Sequence, residues 1–462
     1  MISMKKILIV LTLLCVSFSH VIYAQHTIKG IITDAKNNPI DGAEISYHNE
    51  AIKTKSDGQF TWKFSDYLPE SINFKIQSAG YNLKYLGVNT SKTSAEPLKI
   101  NLSPSPNVHP NYIISKVNIE AEVLTVMTEK WGNNFQHAEY PKQVLNTIIE
   151  LNPGDNIQDA IDKVHHEGGG VVLLKAGTFE TDDLKIKSHV TLCGAGREQT
   201  IVKHIGSGNL MDQGSKKLTD VVFKDLTFLG GPETGSGLNL RGDDTDRHER
   251  LMWQNVTVTN MGSHGVGISR VNHIIMDNSV FQKNGTRGGL HHNIYFLFVG
   301  HVLQSDCDMS YPTEGKSNKY TSAKYVLAQR CVMKEGKGNG IQADNNMGGY
   351  LFFHKLHMSG FKRVAMWFPC ESYYNKFEYT EDPKWVPQHV ILNKCEIVNN
   401  TWGAMWRIVR GNSYVIDSYF DNTNIDMGLL KCDVKMEHSI FKTGNQLYTD
   451  VKQWPKNVKI LW

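Results

Sequence analysis

KDLTF (224–228), QNVTV (254–258), DNSVF (277–281), SDCDM (305–309), QRCVM (329–333), HKLHM (354–358), NKCEI (393–397), IDSYF (416–420) and EHSIF (437–441) are nine copies of one five-residue pattern. The third residue is small or apolar: Leu226, Val256, Ser279, Cys307, Cys331, Leu356, Cys395, Ser418, Ser439. The fifth is always apolar: Phe228, Val258, Phe281, Met309, Met333, Met358, Ile397, Phe420, Phe441. Positions three and five share one face of a strand, and their polar neighbours share the other. Successive third positions differ by 30, 23, 28, 24, 25, 39, 23 and 21 residues. A spacing in the low twenties with longer excursions marks a solenoid whose coils stack strand on strand, and no sustained helical period competes with it. The expected fold class is therefore all-β: a right-handed parallel β-helix, preceded by a small β-sandwich.

The whole chain suits that reading. It has 462 residues, 40% of them hydrophobic and 21% charged. With 49 basic and 46 acidic residues the net charge is +3, so no nucleic-acid partner is expected and any basic patch for an acidic ligand must be local. Residues 1–24 read as a secretory signal: Lys5 and Lys6, the apolar run Ile7 to Val16, then Ile22-Tyr23-Ala24 as cleavage site. An exported protein is expected, periplasmic, cell-surface or extracellular, without a membrane span and monomeric. Of the six cysteines after residue 24, Cys307, Cys331 and Cys395 occupy the inward repeat column, where a thiol serves as a small core residue rather than a disulfide partner.

Four segments follow in order: the signal (1–24), a sandwich (25–104), a linker or bracing segment (105–150) and the β-helix (151–462). The sandwich segment alternates, with turns at Asn37-Asn38-Pro39, Asp57-Gly58 and Ala79-Gly80. Residues 103–110 (SPSPNVHP) are Pro-rich linker, and Val117 to Met127 reads as one alternating run that braces or caps the solenoid. At 151–174, Asp155 is the expected N-cap of a helix whose face is Ile157, Ala160, Ile161 and Val164; Gly168-Gly169-Gly170 end it, and Val171 to Leu174 begin a buried strand. Such a helix covers the open end of a solenoid core.

Each coil carries a second strand after the repeat, and its outward residues should line a trough. Asn239/Arg241, Ser269, Tyr295, Gln342/Asp344, Met366/Phe368 and Met405/Arg407 are placed outward, in a register that one slip would invert. Arg287, His291, His292 and Tyr295 lie within nine residues, where a strand and its entry turn could bring them together, and form the best catalytic candidate. Proton abstraction beside a uronate carboxylate needs a cation to offset growing charge, a base for the C5 proton and an acid for the departing O4. Arg287 and Arg407 suit the first role, His292 or Tyr295 the second, and the other of that pair or Lys337 the third. Tyrosine serves as base only if cations lower its pKa from about 10. The plainer account is that His292 satisfies backbone at a turn and Tyr295 stacks in a ladder. His291, Arg241, Gln342, Asp344, Trp367, Tyr373 and Tyr374 are the expected sugar-binding residues, the last three within an aromatic excursion at 367–388 that could equally pack on itself.

Asp243, Asp244, Asp306, Asp308, Asp344 and Glu371 offer carboxylates for the alternative chemistry of glycoside hydrolysis. Asp243, Asp244 and Asp246 are also oxygen ligands for Ca²⁺, against the simpler account of a solvated charged loop; the EF-hand frame is missing.

Two resemblances extend this reading. Gly30 and Asp34, Pro39 with Gly42-Ala43, Asp57-Gly58-Gln59-Phe60 and Gly80-Tyr81 resemble the carboxypeptidase regulatory-like domain, which implies a prealbumin-type sandwich without catalytic role. The helix, Gly-rich break and strand at 151–174 resemble the opening of the pectate lyase superfamily, which implies the fold and a glycan-binding groove. The Arg-x-Pro-x-x-Arg segment of pectate lyases and the Asp-Pro-His-Asp motif of alginate epimerases are missing, so the reaction does not follow from the resemblance. The expected function is cleavage of an acidic, uronate-containing polysaccharide by β-elimination; a β-helical glycoside hydrolase and a non-catalytic glycan-binding or adhesive β-helix are the alternatives.

Overall fold

The computed structural model describes residues 26–34, 37–47, 50–64, 71–78, 84–90, 97–102, 112–344, 349–369, 388–407, 411–430, 432, 434–442 and 459–460. The expected signal segment 1–24, the expected linker 103–110, the turn expected at Ala79-Gly80, Cys370, Glu371, Tyr373 and Tyr374 lie outside the described residues. The chain divides into two compact units, Met1–His109 and Pro110–Trp462.

In the first unit, His26–Asp34 pairs antiparallel with Gln59–Phe64 and parallel with Leu98–Leu102. Glu44–Tyr47, Glu50–Lys53, Ser71–Gln77 and Lys84–Asn89 form a second, antiparallel sheet. Alternate residues of both sheets (Ile28, Ile32, Trp62, Ile45, Phe74, Ile76) meet in one core. The turn at Gly58 requires glycine: its φ is +72°, and an added Cβ would lie 2.5 Å from the carbonyl of Ile32.

The second unit is a right-handed parallel β-helix. One sheet runs from Thr147–Leu151 to Val434–Glu437, in a register read across Ile275, Leu303, Leu327, Phe352 and Ile391. A second sheet of ten strands runs from Leu184–Ile186 to Ile425–Leu430. A third includes Val332–Gly336, His357–Phe361, Glu396–Val398 and Tyr419–Asp421.

The nine repeats sit at the corner between the first and third sheets rather than on one flat strand. Their second residues (Asp225, Asn255, Asn278, Asp306, Arg330, Lys355, Lys394, Asp417 and His438) all have φ between 46° and 55°. One left-handed residue swings the backbone through the corner, which Asn and Asp tolerate best and the others adopt under packing. Positions three and five nevertheless both face inward: every one is 0–2% exposed. Small polar residues at position three stitch successive coils. Ser418 Oγ accepts from the Cys395 N–H at 3.0 Å and donates to the Ile416 carbonyl at 2.8 Å. Cys307, Cys331 and Cys395 are free, buried thiols, as their column predicts.

At the N-terminal end, Ile157, Ala160, Ile161 and Val164 of the helix Ile157–His166 are buried against the core. Asn156, not Asp155, caps it by accepting from the Asp159 N–H; Asp155 instead closes a turn onto the Asn152 N–H at 2.7 Å. The bracing segment also differs from expectation. Ala121–Trp131 is a helix, and Val123, Met127 and Trp131, four residues apart, press on the outer face of the first sheet at Met252, Ile275, Leu303, Leu327 and Phe352. An alternating reading of 117–127 counted polar residues that the helix turns to solvent. Glu120 clasps the segment with Arg330 (3.0 Å) and Lys355 (2.7 Å). The outer face of the first sheet is thereby covered. No helix among the described residues is long and apolar enough to cross a membrane.

Candidate functional site

Two adjacent columns of the second sheet assemble the site. The register pairs Asn239 with Gly267, Gly267 with Tyr295, Tyr295 with Lys319, Lys319 with Gln342, Gln342 with Trp367 and Trp367 with Met405. The neighbours of each on its strand point inward; Ile294 and Phe296 flank Tyr295 and are 0% exposed. Beside this outward column runs a corner column, two residues before the first inward position of each strand: Ser236, His264, His292, Lys316, Asn339 and, after Val364, Trp402.

The histidines and tyrosine converge. The ring of His264 lies 5.2 Å from those of both His292 and Tyr295 and 5.4 Å from that of His291, and His292 meets Tyr295 edge-on at 5.6 Å. The His292 N–H donates to Nδ1 of His264 at 3.0 Å, and the Lys316 N–H donates to Nδ1 of His292 at 3.2 Å. A neutral ring accepting at Nδ1 carries its proton on Nε2. Burial, reinforced by His291, Arg241, Lys319 and Lys316, pushes the His264 pKa down to about 3. Burial and the charges of Lys316 and Lys319 hold His292 well below its ordinary value, outweighing the His291 carbonyl. Both are neutral donors at neutral pH.

The cations are Lys316 and Lys319. Lys319 Nζ stands 5.4 Å over the Tyr295 ring and 3.7 Å from Asp344. Burial and neighbouring Lys319 bring the Lys316 pKa down to about 8. Asp344, itself 2% exposed, accepts from Thr321 Oγ1 at 2.8 Å and Gln342 Nε2 at 3.3 Å, so it holds Lys319 instead of facing a ligand.

The other expected site residues lie as follows. Arg287 is on the exposed rim, donating to the Glu233 carbonyl, with its charge acting on half-buried His291. Arg241 donates to Asn239 at 2.8 Å, bordering the trough. Lys337 pairs with Glu314 at the surface. Arg407 ends the strand Trp402–Arg407. The outward placement of Met366 and Phe368 was one residue out: both are fully buried, and Trp367 faces the trough. The carboxylates expected to take Ca²⁺ have protein partners in this structure. Asp243 accepts from the N–H groups of Thr245 and Asp246, Asp246 pairs with Lys216, and Asp244 pairs with Arg270 at 2.7 Å. Among the described residues, Glu120, Glu122 and His354 could hold a metal by distance, but Arg330, Lys355 and Lys394 neutralise those acids.

His264, Lys316 and Lys319 were missed from sequence. His264 precedes Val266 as His292 precedes Ile294 and Lys316 precedes Asn318, so aligning the second strands on their inward residues would have found all three.

No family model matches the chain. A stretch 34% identical over 97 residues is shared with alginate lyase 7 of Azotobacter vinelandii, covering 18% of this chain and 11% of that relative's length. Among solved structures, the A-module of the Azotobacter vinelandii mannuronan C-5 epimerase AlgE4 is 13% identical at a TM-score of 0.34, covering 67% of this chain and 97% of that one. The catalytic domain of a GH87 alpha-1,3-glucanase is 10% identical at 0.40, covering 94% and 88%. The Streptococcus pneumoniae surface protein and adhesin PfbA is 14% identical at 0.35, covering 64% and 92%. At such identities the reaction has to be argued from the site.

Proposed function

We propose that the chain is an exported polysaccharide lyase that cleaves an acidic, uronate-containing glycan by β-elimination at Tyr295. The observation that carries this reading is the surrounding of Tyr295: Lys319 above its ring, Lys316 in the next corner, and His264 and His292 held neutral beside it. A uronate carboxylate placed here meets two ammonium groups and two imidazole Nε2–H donors, which stabilise the charge that grows on it as C5 loses its proton. Tyr295, acting as its phenolate between the two lysines, takes that proton and becomes the phenol; the electron pair forms the C4–C5 double bond; O4 leaves with a proton from Lys316, whose pKa near 8 suits it as an acid at neutral pH. His292 is less suited than Tyr295 to be the base, since its Nδ1 lone pair already accepts a backbone N–H. The local likeness to an alginate lyase agrees with a uronate substrate.

The hydrolase alternative has less support. Of the described carboxylates weighed for it, Asp306 pairs with Arg330 at 2.7 Å, Asp308 accepts from Ser310 and Gln282, and Asp344 is held by Lys319, Thr321 and Gln342; Glu371 lies outside the described residues. Incubation with alginate and polygalacturonate tests the proposal. A lyase releases unsaturated ends absorbing in the ultraviolet, and Tyr295→Phe should lower that rate by roughly 10²–10⁴-fold. Reducing ends without the absorbance would point to hydrolysis, and neither product to binding alone.

A further inference from the structure

The two columns that hold the histidines, lysines and tyrosine change character farther along the coil axis. The outward column passes from Tyr295 through Lys319 and Gln342 to Trp367 and then Met405. The corner column passes from His292 and Lys316 through Asn339 and Val364, both buried, to Trp402, which is 39% exposed. Trp367 and Met405 are half-buried between inward residues that are buried, so both face the trough. Gly428, next in the column, leaves room for Met405 to lie flat: a Cβ there would stand 2.3 Å from the Met405 sulfur. From Tyr295 to Trp367 is three strand spacings, roughly 14 Å. Between them lie Lys319 and Lys316, with Arg363 close enough to act on Lys316.

We infer that Trp367, Trp402 and Met405 form a distal subsite that binds the apolar face of a sugar ring several residues from the scissile bond of the same acidic chain. The inference rests on the proposed lyase reading for its occupant. Continuity supports it: the outward column leads in unbroken register from Lys319 through Gln342 to Trp367 and Met405. A sugar presents C–H groups on one face and hydroxyls at its edge, so a flat apolar platform takes the face while carboxylates stay beside the lysines. The enzyme is then built for extended polyuronate, and chain length governs its efficiency.

Rates on polyuronate and on the shortest oligouronate cleaved test this. In Trp367→Ala and Trp402→Ala the ratio of kcat/KM on polymer to that on the short substrate should fall about tenfold, the effect of one ring contact of about 1.4 kcal/mol. Trp402→Tyr, which keeps a ring, should retain most of the ratio. An unchanged ratio in both alanine variants, or an equal loss on both substrates, overturns the subsite. Retention of Tyr295→Phe in gels containing alginate separates this from the reaction itself. If that variant is retarded and Trp367→Ala abolishes the retardation, the subsite stands even where no unsaturated product forms. Retardation that survives both tryptophan replacements rejects it.

Discussion

The backbone N–H of His292 donates to Nδ1 of His264 across neighbouring coils at 3.0 Å. One contact therefore sets the tautomer of His264 and the position of His292, and the two roles can be separated. His264→Ala leaves a buried N–H unpaired and should cost about 1–3 kcal/mol of stability as well as activity. His264→Asn places an oxygen near Nδ1 and should recover most of the stability while leaving activity at least tenfold down, because the Nε2–H is gone. Thermal melts beside rates on a uronate polymer check this; full activity in the Asn variant would reduce His264 to a backbone support.

Lys316 gives the reaction a pH signature. Its pKa, pushed down to about 8 by burial and Lys319, places the loss of the proposed acid's proton within an accessible range. The rate should fall as pH rises through about 8. Lys316→Arg keeps its proton throughout, so its profile should lack that limb even though its maximum rate is lower. An alkaline limb near 8 that persists in the Arg variant would assign the acid elsewhere.

The residues of the fold and of the site differ in how much of their placement the sequence discloses. The pentads disclosed the solenoid because inward packing at Leu226–Phe228 or Cys331–Met333 tolerates only small and apolar side chains, and that restriction survives in the sequence. They concealed the corner, since the left-handed second position is filled by Arg330 and Lys355 as well as by Asn255 and Asn278, and packing overrides local preference. His292 and Tyr295 stood out by proximity along the chain. His264 and Lys319 reach Tyr295 only through stacking of coils, a relation set by strand register, and a one-residue error at Met366 shows how easily register is lost. The Asp243 loop stayed open to two readings because a run of acids looks alike whether it meets a metal ion or the side chains of Lys216 and Arg270, its partners in this structure.

Acid should loosen the coil through His248. Its Nδ1 accepts from the Leu218 N–H at 3.1 Å, and burial pushes its pKa down to about 4. The unfolded chain, with a pKa near 6.5, binds a proton that the folded chain refuses between those values. Stability is thus complete above pH 6.5 and declines as pH falls toward 4. His248→Asn, which preserves an acceptor and removes the titration, should show a shallower fall in Tm across that window. Identical slopes would mean other groups carry the acid sensitivity.

Glu120 should behave as the clasp of the brace. Burial works to raise its pKa, but the bonds and charges of His354 and Lys355 outweigh it and hold the carboxyl well below the usual range. Its stabilisation is therefore present above the unfolded value of 4.5 and is lost as pH falls below it. Glu120→Gln leaves Lys355 without its 2.7 Å partner and removes one of the two acids on Arg330. Breaking a largely buried pair of this kind costs about 3 kcal/mol at pH 7. The difference from the native chain should narrow below pH 4.5, where Glu120 of the unfolded chain takes up a proton that the folded chain still refuses. Because Val123, Met127 and Trp131 depend on the same segment staying docked, amide exchange should rise first across Ala121–Trp131 and the first-sheet strands beneath it. Exchange that rises uniformly over all coils would instead make Glu120 part of the global fold, with no separate role in docking the brace.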